Sequence, residues 1–300
     1  MDISSLICGI DVGGTSIKAI VADSAGEIHG TWSAPTPHGG AAVVRAITEL
    51  VTTIRTETSI PLHPRLCVAV PGIVDEASGT AVLSVNLGWE DYPMRAQLAE
   101  ALHMPVYLMQ DARAGAYGEA RFGAAPATCI YLPIGTGIAS AVLVDGAILS
   151  PHLWTGEVGQ VPTPDPDHPG QRVALEKICS AKAFATRFEE LKPHFLPIDA
   201  GANEVFRLRD AGGEGSAEAH RVIETGLATL ADAIAAWTAL LGPIPVVIGG
   251  GLGKEGAPLV TELTALLAER SYMPAPILTA SLGSLSQALG TVAMALDKDF

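Results

Sequence analysis

Short apolar runs alternate with helically spaced apolar positions over the first 120 residues. Residues 6–10 and 16–23 are apolar runs on either side of a glycine turn, which predicts a β-hairpin. Residues 27–32 predict a third strand, and residues 41–58 carry apolar side chains at helical spacing. The other elements predicted here are strands 65–70, 82–85 and 106–109 and helices 94–102 and 112–122. This order predicts a mixed sheet flanked by helices.

The rest of the chain repeats part of this pattern. A strand at 128–133 opens a second hairpin that runs to residue 149, and the proline-rich stretch 161–170 predicts an extended, exposed loop. Further predicted elements are helices 175–192, 216–241, 257–270 and 285–296 and strands 245–248 and 276–278. We expect the last helix to pack back on the first part of the chain. The predicted domains are therefore a smaller N-terminal lobe of residues 1–120 and 285–300 and a larger C-terminal lobe of residues 121–284.

The two hairpins are similar in sequence when the chain is shifted by 122 positions. The shift superposes Val12 on Ile134, Gly13 on Gly135, Ala19 on Ala141 and Asp23 on Asp145. We interpret this as one hairpin used twice, with backbone N–H groups at each tip available to an anion. The alternative is a pair of ordinary turns, because glycine is common in turns of every kind.

The residues around the tips are suited to binding phosphate. Glycine allows a tight turn and a close approach of the ligand, while Thr15 and Thr136 add hydroxyl donors and Lys18 adds a positive charge. Asp11 directly follows the first apolar run, where a carboxylate can hold the water shell of Mg²⁺.

Composition and charge narrow the function classes. The chain is 48% hydrophobic but only 5% aromatic, so its core is aliphatic, as in α/β proteins. A net charge of −14 argues against binding a nucleic-acid backbone and means that a phosphate site must rely on local backbone donors and metal.

The four cysteines are scattered and lie mostly in apolar runs, which predicts buried thiols in a reducing cytosol. Residues 1–5 lack signal-peptide character, and the apolar stretch 227–248 is interrupted by charge and by Gly-Pro, so we expect a soluble cytoplasmic protein.

Several polar residues are candidates for catalysis. Asp111 follows a strand and begins a helix, the position where open α/β sheets place reactive groups, so it is either a general base or a helix N-cap. Asn86, Glu157, Gln160 and Glu176 lie in or beside loops, where each is a ligand or a solvated surface group. The stretch 249–253 (GGGLG) follows a strand and gives a nucleotide base a flat backbone to lie on. It is not a dinucleotide-binding fingerprint, and neither glycine stretch is a Walker A loop.

Taken in order, these motifs resemble the ROK family (repressors, open reading frames, kinases) of sugar kinases. The matching motifs are residues 11–18 (DVGGTSIK), 70–72 (VPG), 86–89 (NLGW), 111–112 (DA), 135–137 (GTG), 156–159 (GEVG) and 249–251 (GGG). They span nearly the whole chain, and the ordered set is specific where single members are not.

The resemblance implies an α/β, actin-like ATPase fold of two ribonuclease-H-like lobes around a nucleotide and sugar cleft. It makes Asp111 the base that takes a proton from a sugar hydroxyl, and Asp11 the residue that positions Mg²⁺. The residues that it assigns to the sugar are Gly72, Asn86, Glu157 and Glu176, with Gln160 at a further sugar position. Those that it assigns to the ATP phosphates are Gly13, Gly14, Thr15, Gly135, Thr136 and Gly137, with Gly249, Gly250 and Gly251 near the adenosine.

Two positions depart from the family pattern. Gln160 stands where the family often has a histidine that contacts the sugar and binds zinc, and residues 161–176 contain no cysteine, so we expect no zinc site. Arg113 stands where an asparagine is usual, with no role that the sequence assigns.

The leading hypothesis is an ATP-dependent hexose kinase acting on glucose. The alternatives are a kinase for fructose, N-acetylmannosamine, N-acetylglucosamine or a β-glucoside, a catalytically inactive sugar-binding or regulatory protein, and polyphosphate as the phosphoryl donor. A sugar-responsive repressor is disfavoured because the chain is acidic and enters its first strand within ten residues. The resemblance also predicts a homodimer.

Overall fold

The computed structural model describes residues 6–58, 61–198 and 200–297. The chain forms two compact units. The first comprises Met1–Ala124, Gly146–Thr155 and Ser284–Phe300, and the second comprises Ala125–Asp145 and Gly156–Gly283. Residues 1–5 and 298–300 of the predicted smaller lobe lie outside the described residues. The described part contains no helix that is both long and apolar enough to cross a membrane.

The first unit is built on one mixed sheet. Its elements are strands β1 (Ile7–Val12), β2 (Ser16–Ala22), β3 (Ile28–Pro35), β4 (Leu66–Val70), β5 (Ile73–Asp75), β6 (Thr80–Ser84), β7 (Trp89–Tyr92) and β8 (Val106–Gln110), and helices α1 (Gly40–Glu57), α2 (Met94–Leu102) and α3 (Asp111–Phe122). The main sheet has the order β3-β2-β1-β4-β8, and β5, β6 and β7 form a separate small sheet. β1 is antiparallel to β2 and parallel to β4, which is parallel to β8. The carboxyl ends of β1, β4 and β8 therefore lie at one edge of the sheet.

The second unit repeats this arrangement. The remaining elements of the chain are strands β9 (Cys129–Pro133), β10 (Ala141–Val144), β11 (Ala147–Leu149), β12 (Pro162–Pro164), β13 (Arg172–Ala174), β14 (Val246–Gly249) and β15 (Ile277–Thr279), and helices α4 (Glu176–Cys179), α5 (Ala181–Leu191), α6 (Ala202–Ala211), α7 (Ser216–Leu241), α8 (Gly250–Gly253), α9 (Gly256–Arg270) and α10 (Ser286–Asp297). β9 is antiparallel to β10 and parallel to β14, which is parallel to β15. β11 belongs to the segment that groups with the first unit, as does α10.

The two hairpins share their topology but differ by one residue at the tip. In the first hairpin Ile10 pairs with Ala19, whereas in the second Ala141 pairs with Tyr131, one position away from the residue that an ungapped shift predicts. The first turn spans residues 13–16, and the second, closed by the bridge between Ile134 and Ile138, spans only 135–137. The hairpin is used twice, but its two tips have different backbones.

Two predicted elements are wrong in the second unit, and one helix was not predicted. The single helix 175–192 is broken into α4 and α5 at Ser180, whose extended backbone and side-chain bond from the Ala183 N–H form an N-cap. The predicted loop 161–170 contains strand β12, which pairs with β13. Helix α6 falls in a stretch with no prediction, although it buries Val205, Phe206 and Leu208 on one face.

Helix α10 packs directly on α3, the helix that begins at Asp111. A Cβ on Gly290 of α10 would lie 1.7 Å from the carbonyl oxygen of Ala114, and one on Gly118 would lie 2.2 Å from that of Ser286. The two helix backbones approach this closely only because both positions are glycine. The Ser286 hydroxyl also donates a 2.7 Å hydrogen bond to the buried Glu119 carboxylate. The helix that carries Asp111 is thereby fixed along its length.

Candidate active site

In the turn between β1 and β2, carbonyl groups are held by hydrogen bonds within the protein, and Gly14 and Thr15 are exposed. The Gly13 N–H donates to the Ser16 carbonyl at 3.0 Å, and the Thr36 N–H donates to the Thr15 carbonyl at 3.0 Å. The Thr36 hydroxyl donates to the Gly13 carbonyl at 2.8 Å. Gly14 and Thr15 are exposed, and a Cβ on Gly14 would meet no atom within 4 Å. The carbonyls of the turn are thus engaged by the protein, and space for an anion remains beside the exposed backbone.

Asp11 and Lys18 face each other across this hairpin. They are cross-strand partners in β1 and β2, so their side chains project from the same face of the sheet. Asp11 is only 8% exposed, and burial raises the pKa of its carboxyl to about 6 against the opposing effect of the Lys18 charge. Lys18 Nζ lies 3.5 Å from the carbonyl oxygen of Ser284.

Asp111 is the first residue of α3, directly after the last residue of β8. The N-cap residue of this helix is Gln110, so Asp111 does not occupy the N-cap position. One carboxylate oxygen of Asp111 accepts a 2.7 Å hydrogen bond from the Ala112 N–H. Burial, and then the nearby charge of Asp11, raise the pKa of Asp111 to about 7, although backbone hydrogen bonds act to lower it. The carboxyl ends of β1 and β8 therefore bring together two carboxylates whose pKa values both lie far above the ordinary range.

The junction that carries Asp111 is clamped by a residue that the sequence analysis did not identify. One oxygen of Glu76, just after β5, accepts from the Gln110 N–H at 3.3 Å, and the other accepts from the Tyr107 hydroxyl at 3.3 Å. Arg113 contributes Nη1 to the same carboxylate at 3.2 Å. Its Nη2 donates to the carbonyls of Leu153 and Thr155 at 3.3 and 3.4 Å.

These contacts show what the Arg113 side chain binds. Its side chain is only 5% exposed, and it ties α3 to Glu76 and to the segment before residue 156. The sequence contains no local signal for this cluster, because Glu76 and Arg113 are 37 positions apart.

The predicted sugar residues of the first unit lie in tight turns. Gly72 has a φ of 93°, and a Cβ there would lie 2.1 Å from the carbonyl oxygen of Leu83, so only glycine fits. Asn86 is exposed in the turn between β6 and β7. The neighbouring Trp89 is only 5% exposed, so it belongs to the core and offers no open ring face.

In the second unit, Glu176 contacts two predicted site residues, Gln160 and Gly137, at the tip of the second hairpin. Gln160 Nε2 donates to Glu176 Oε1 at 2.9 Å, and the Ile138 N–H donates to Oε2 at 3.3 Å. A Cβ on Gly137 would lie 2.6 Å from Oε2. Glu157 precedes the single helical turn Val158–Gln160. Gly135 and Thr136 form the rest of the tip, where a Cβ on Gly135 would meet no atom within 4 Å.

The triple glycine lies beside the base of the same hairpin. Gly249 ends β14 and Gly250 begins the short helix α8. The Ile134 N–H donates to the Gly249 carbonyl at 3.1 Å, and a Cβ on Gly250, whose φ is 72°, would lie 2.6 Å from the Ile134 carbonyl oxygen. Gly251 is partly exposed.

The residues after Gln160 do not fit a zinc site. Residues 161–176 offer carboxylates and one histidine but no thiol. His168 Nδ1 lies 3.0 Å from Asp165 Oδ2, and Arg187 Nε donates to Asp167 Oδ2 at 2.6 Å. A structural zinc site is typically built from four cysteine or histidine ligands, and residues 161–176 supply only one histidine, while Glu176 accepts from the Gln160 amide.

The chain is similar to known proteins over most of its length, both in sequence and in structure. The chain is 29% identical to a glucokinase from Halalkalibacterium halodurans over 278 residues, which is 85% of this chain and 83% of the relative. A ROK hexokinase from Thermus thermophilus has a TM-score of 0.75 at 27% identity, covering 97% of this chain and 98% of that one.

A ROK family glucokinase from Streptomyces griseus, solved with glucose and AMPPNP, has a TM-score of 0.82 at 22% identity, covering 98% of this chain and 100% of that one. These two structural likenesses confirm the predicted α/β, actin-like ATPase fold. The model of the ROK family matches residues 7–298. Because this match takes in nearly the entire sequence, the chain belongs to the ROK family.

Proposed function

We propose that the chain is an ATP-dependent sugar kinase with a hexose, glucose first, as acceptor and Asp111 as the general base. The observation that carries the proposal is the position of Asp111, at the β8–α3 junction, close enough to Asp11 for the two charges to interact. A carboxylate fixed at the carboxyl end of a parallel strand is well placed to accept a proton from a bound hydroxyl. The names of the relatives, a glucokinase and a hexokinase, support the same chemistry.

In the proposed reaction, Asp111 accepts the proton of the sugar hydroxyl as its oxygen attacks the terminal phosphorus of ATP. The new O–P bond forms as the bond to the bridging oxygen breaks, and ADP leaves with that electron pair. Such reactions depend on positioning and charge stabilisation more than on covalent catalysis. The hydrogen bond from the Ala112 N–H orients the carboxylate of Asp111 for this role.

Magnesium fits the donor set near Asp11. Burial raises the pKa of Asp11, and burial together with the charge of Asp11 raises that of Asp111, so the two carboxylates are hard oxygen donors whose ionised forms a divalent cation would stabilise. We propose that Asp11 holds Mg²⁺ through water. When bound, the ion would neutralise charge on the transferred phosphoryl group.

For ATP, we propose that Gly13, Gly14, Thr15 and Lys18 bind phosphate oxygens. The open space over Gly14 supports this role, as does the open space over Gly135 for the second tip, which comprises Gly135, Thr136 and Gly137. Gly249, Gly250 and Gly251 are proposed for the adenosine. For the sugar, we propose Gly72, Asn86, Glu157, Gln160 and Glu176.

The contacts of Glu176 favour a second candidate, a kinase for a sugar other than glucose. Both of its carboxylate oxygens accept hydrogen bonds within the protein, one of them from Gln160. An amide donates and accepts hydrogen bonds but does not carry the charge of a histidine, so the hydroxyl pattern it prefers differs. Fructose, N-acetylmannosamine, N-acetylglucosamine and β-glucosides are the alternatives, and a non-catalytic sugar-binding or regulatory protein is the third possibility.

The deciding experiment measures phosphoryl transfer with Mg²⁺ over a panel of these sugars, with ATP or polyphosphate as donor. The panel is repeated with Asp111→Asn and with the surface control Asp210→Asn. We expect one sugar to support turnover that falls about 10²- to 10⁴-fold in Asp111→Asn and is unchanged in the control. If no sugar supports turnover while calorimetry detects sugar binding, the kinase assignment is wrong and the non-catalytic protein takes its place.

A further inference from the structure

Residues 36–39, which we call the strap, run from the end of β3 to the start of α1. At one end the strap holds the first glycine turn. Thr36 donates its N–H to the Thr15 carbonyl at 3.0 Å and its hydroxyl to the Gly13 carbonyl at 2.8 Å. A single residue thus binds both arms of the turn and keeps their carbonyl oxygens facing away from the exposed side.

At its other end the strap holds the loop that carries Asn86. The Gly39 N–H donates a short 2.7 Å hydrogen bond to the Leu87 carbonyl. The His38 ring lies against the backbone of Gly88, the residue after Leu87, since a Cβ on Gly88 would be 2.0 Å from the ring atom Cε1. Gly88 has a φ of 70°, a conformation that favours glycine, and its missing Cβ leaves room for the His38 ring.

The strap is built to be stiff. Pro35 pairs with Ser16 at the end of β3, and Pro37 restricts the backbone between Thr36 and His38. Beyond the strap, Gly40 lies under the ring of Tyr92, because a Cβ there would be 2.6 Å from Cδ1. A short segment that is anchored at both ends and contains a proline transmits a displacement at one end to the other, whereas a flexible loop would absorb it.

We propose that the strap couples the phosphate-binding turn to the sugar-binding loop within the first unit. Thr36 is a positioning residue for the turn, and His38 is a positioning residue for the loop of Asn86. Occupation of the loop then favours the arrangement of the turn that binds phosphate, and the reverse also holds. This inference rests on the proposed function, which assigns the turn to ATP and the loop to the sugar.

The test is calorimetry of AMPPNP with Mg²⁺, without sugar and with the sugar of the panel that binds most tightly. It compares the wild type with Thr36→Val, which keeps the shape but removes the hydroxyl donor, and with Thr36→Ser, which keeps that donor. Thr31→Val, at an exposed position of β3, is the matched control. Melting temperatures show whether each variant is folded.

We expect sugar to tighten AMPPNP binding several-fold in the wild type, in Thr36→Ser and in Thr31→Val. In Thr36→Val we expect AMPPNP to bind about fivefold more weakly and the effect of sugar to disappear. Equal sugar effects in the wild type and Thr36→Val, or no sugar effect in the wild type, would overturn the coupling. Since calorimetry with AMPPNP requires no turnover, an inactive wild type would overturn the proposed reaction and leave the result on the strap decisive.

Discussion

The Gln160 side-chain amide donates a 2.9 Å hydrogen bond to Oε1 of Glu176, beside the tip of the second hairpin. Gln160 is exposed, whereas Glu176 is partly buried and also accepts from the Ile138 N–H. The amide therefore fixes the direction of a carboxylate that we propose binds the sugar. A carboxylate held by two hydrogen bonds within the protein has less freedom to lose when it binds a sugar.

Replacing Gln160 by leucine should weaken sugar binding more than nucleotide binding. The substitution removes a hydrogen bond to a charged group, so the KM of the sugar is expected to rise roughly tenfold. The KM of ATP and the melting temperature should stay close to the wild type. Gln171→Leu, at another exposed position of the same unit, is the control. An unchanged sugar KM in Gln160→Leu would show that Glu176 is oriented without the amide.

The raised pKa values of Asp11 and Asp111 predict an unusual pH dependence of stability in metal-free protein. Their carboxyl pKa values are about 6 and about 7 in the folded state, against 3.8 for an ordinary aspartate. Between these limits the folded protein binds more protons than the unfolded chain, so the free energy of unfolding falls as pH rises. Stability from these groups is fully present below about pH 4 and is lost as pH passes through the folded pKa values.

The variant Asp111→Asn should therefore be more stable than the wild type at pH 8 by on the order of 3 kcal/mol. The difference should shrink toward zero near pH 4. Urea unfolding with EDTA present, at several pH values, measures it. Asp210→Asn, on the surface of α6, should show no such trend. If the variant is instead less stable than the wild type at pH 8, the folded protein stabilises the ionised Asp111 carboxylate, and its pKa is not raised.

Much of the first unit could be predicted from the sequence because its signals are local. Apolar runs on either side of a glycine turn located β1 and β2, helical spacing located α1, and the strand before Asp111 placed that residue at the sheet edge. The resemblance in motif order then supplied the fold, which the structural likenesses confirm.

The parts that sequence reasoning missed depend on contacts between distant residues. Glu76 and Arg113 form an ion pair across 37 positions, and Glu76 lies in no motif that would point to Arg113. The break at Ser180 is hidden because apolar spacing continues from α4 into α5, and only the cap contact with Ala183 marks the boundary. The one-residue difference between the hairpin tips is likewise invisible in an ungapped comparison, since it lies in the turn.

The Glu76–Arg113 pair should matter for both stability and turnover. Glu76→Gln leaves the nearly buried Arg113 guanidinium without its counter-charge, and loss of about 2 kcal/mol of stability is expected. The same change weakens the hydrogen bond that Glu76 accepts from the N–H of Gln110. Because Gln110 directly precedes Asp111, we expect the proposed base to be less well positioned, with a roughly tenfold fall in kcat and a nearly constant KM of ATP.

A double-mutant cycle with Arg113→Met separates the pair from its surroundings. Once Arg113 is methionine, the further change Glu76→Gln should cost little, because no buried charge is left unpaired. Glu90→Gln, at an exposed position in β7, is the control. Additive effects of the two substitutions would argue against a coupled pair.

The glycine contact between α3 and α10 gives a prediction in which two effects have opposite signs. Gly290→Ala would ordinarily stabilise a helix by about 1 kcal/mol, since alanine has the higher helix propensity. Here the new Cβ would lie 1.7 Å from the Ala114 carbonyl oxygen, and both atoms belong to helix backbones that do not rotate away. Overpacking of this kind costs about 1–3 kcal/mol or more, so the net result should be a loss of stability.

The same clash should also affect chemistry, because α3 carries Asp111 at its first position. A shift of this helix by a few tenths of an ångström moves the proposed base relative to Asp11, and kcat should fall more than either KM changes. Urea unfolding and steady-state kinetics test both consequences, with Gln287→Ala in the same helix as the control. A stabilised Gly290→Ala would mean that helix propensity outweighs the contact, and that α10 does not determine the position of α3.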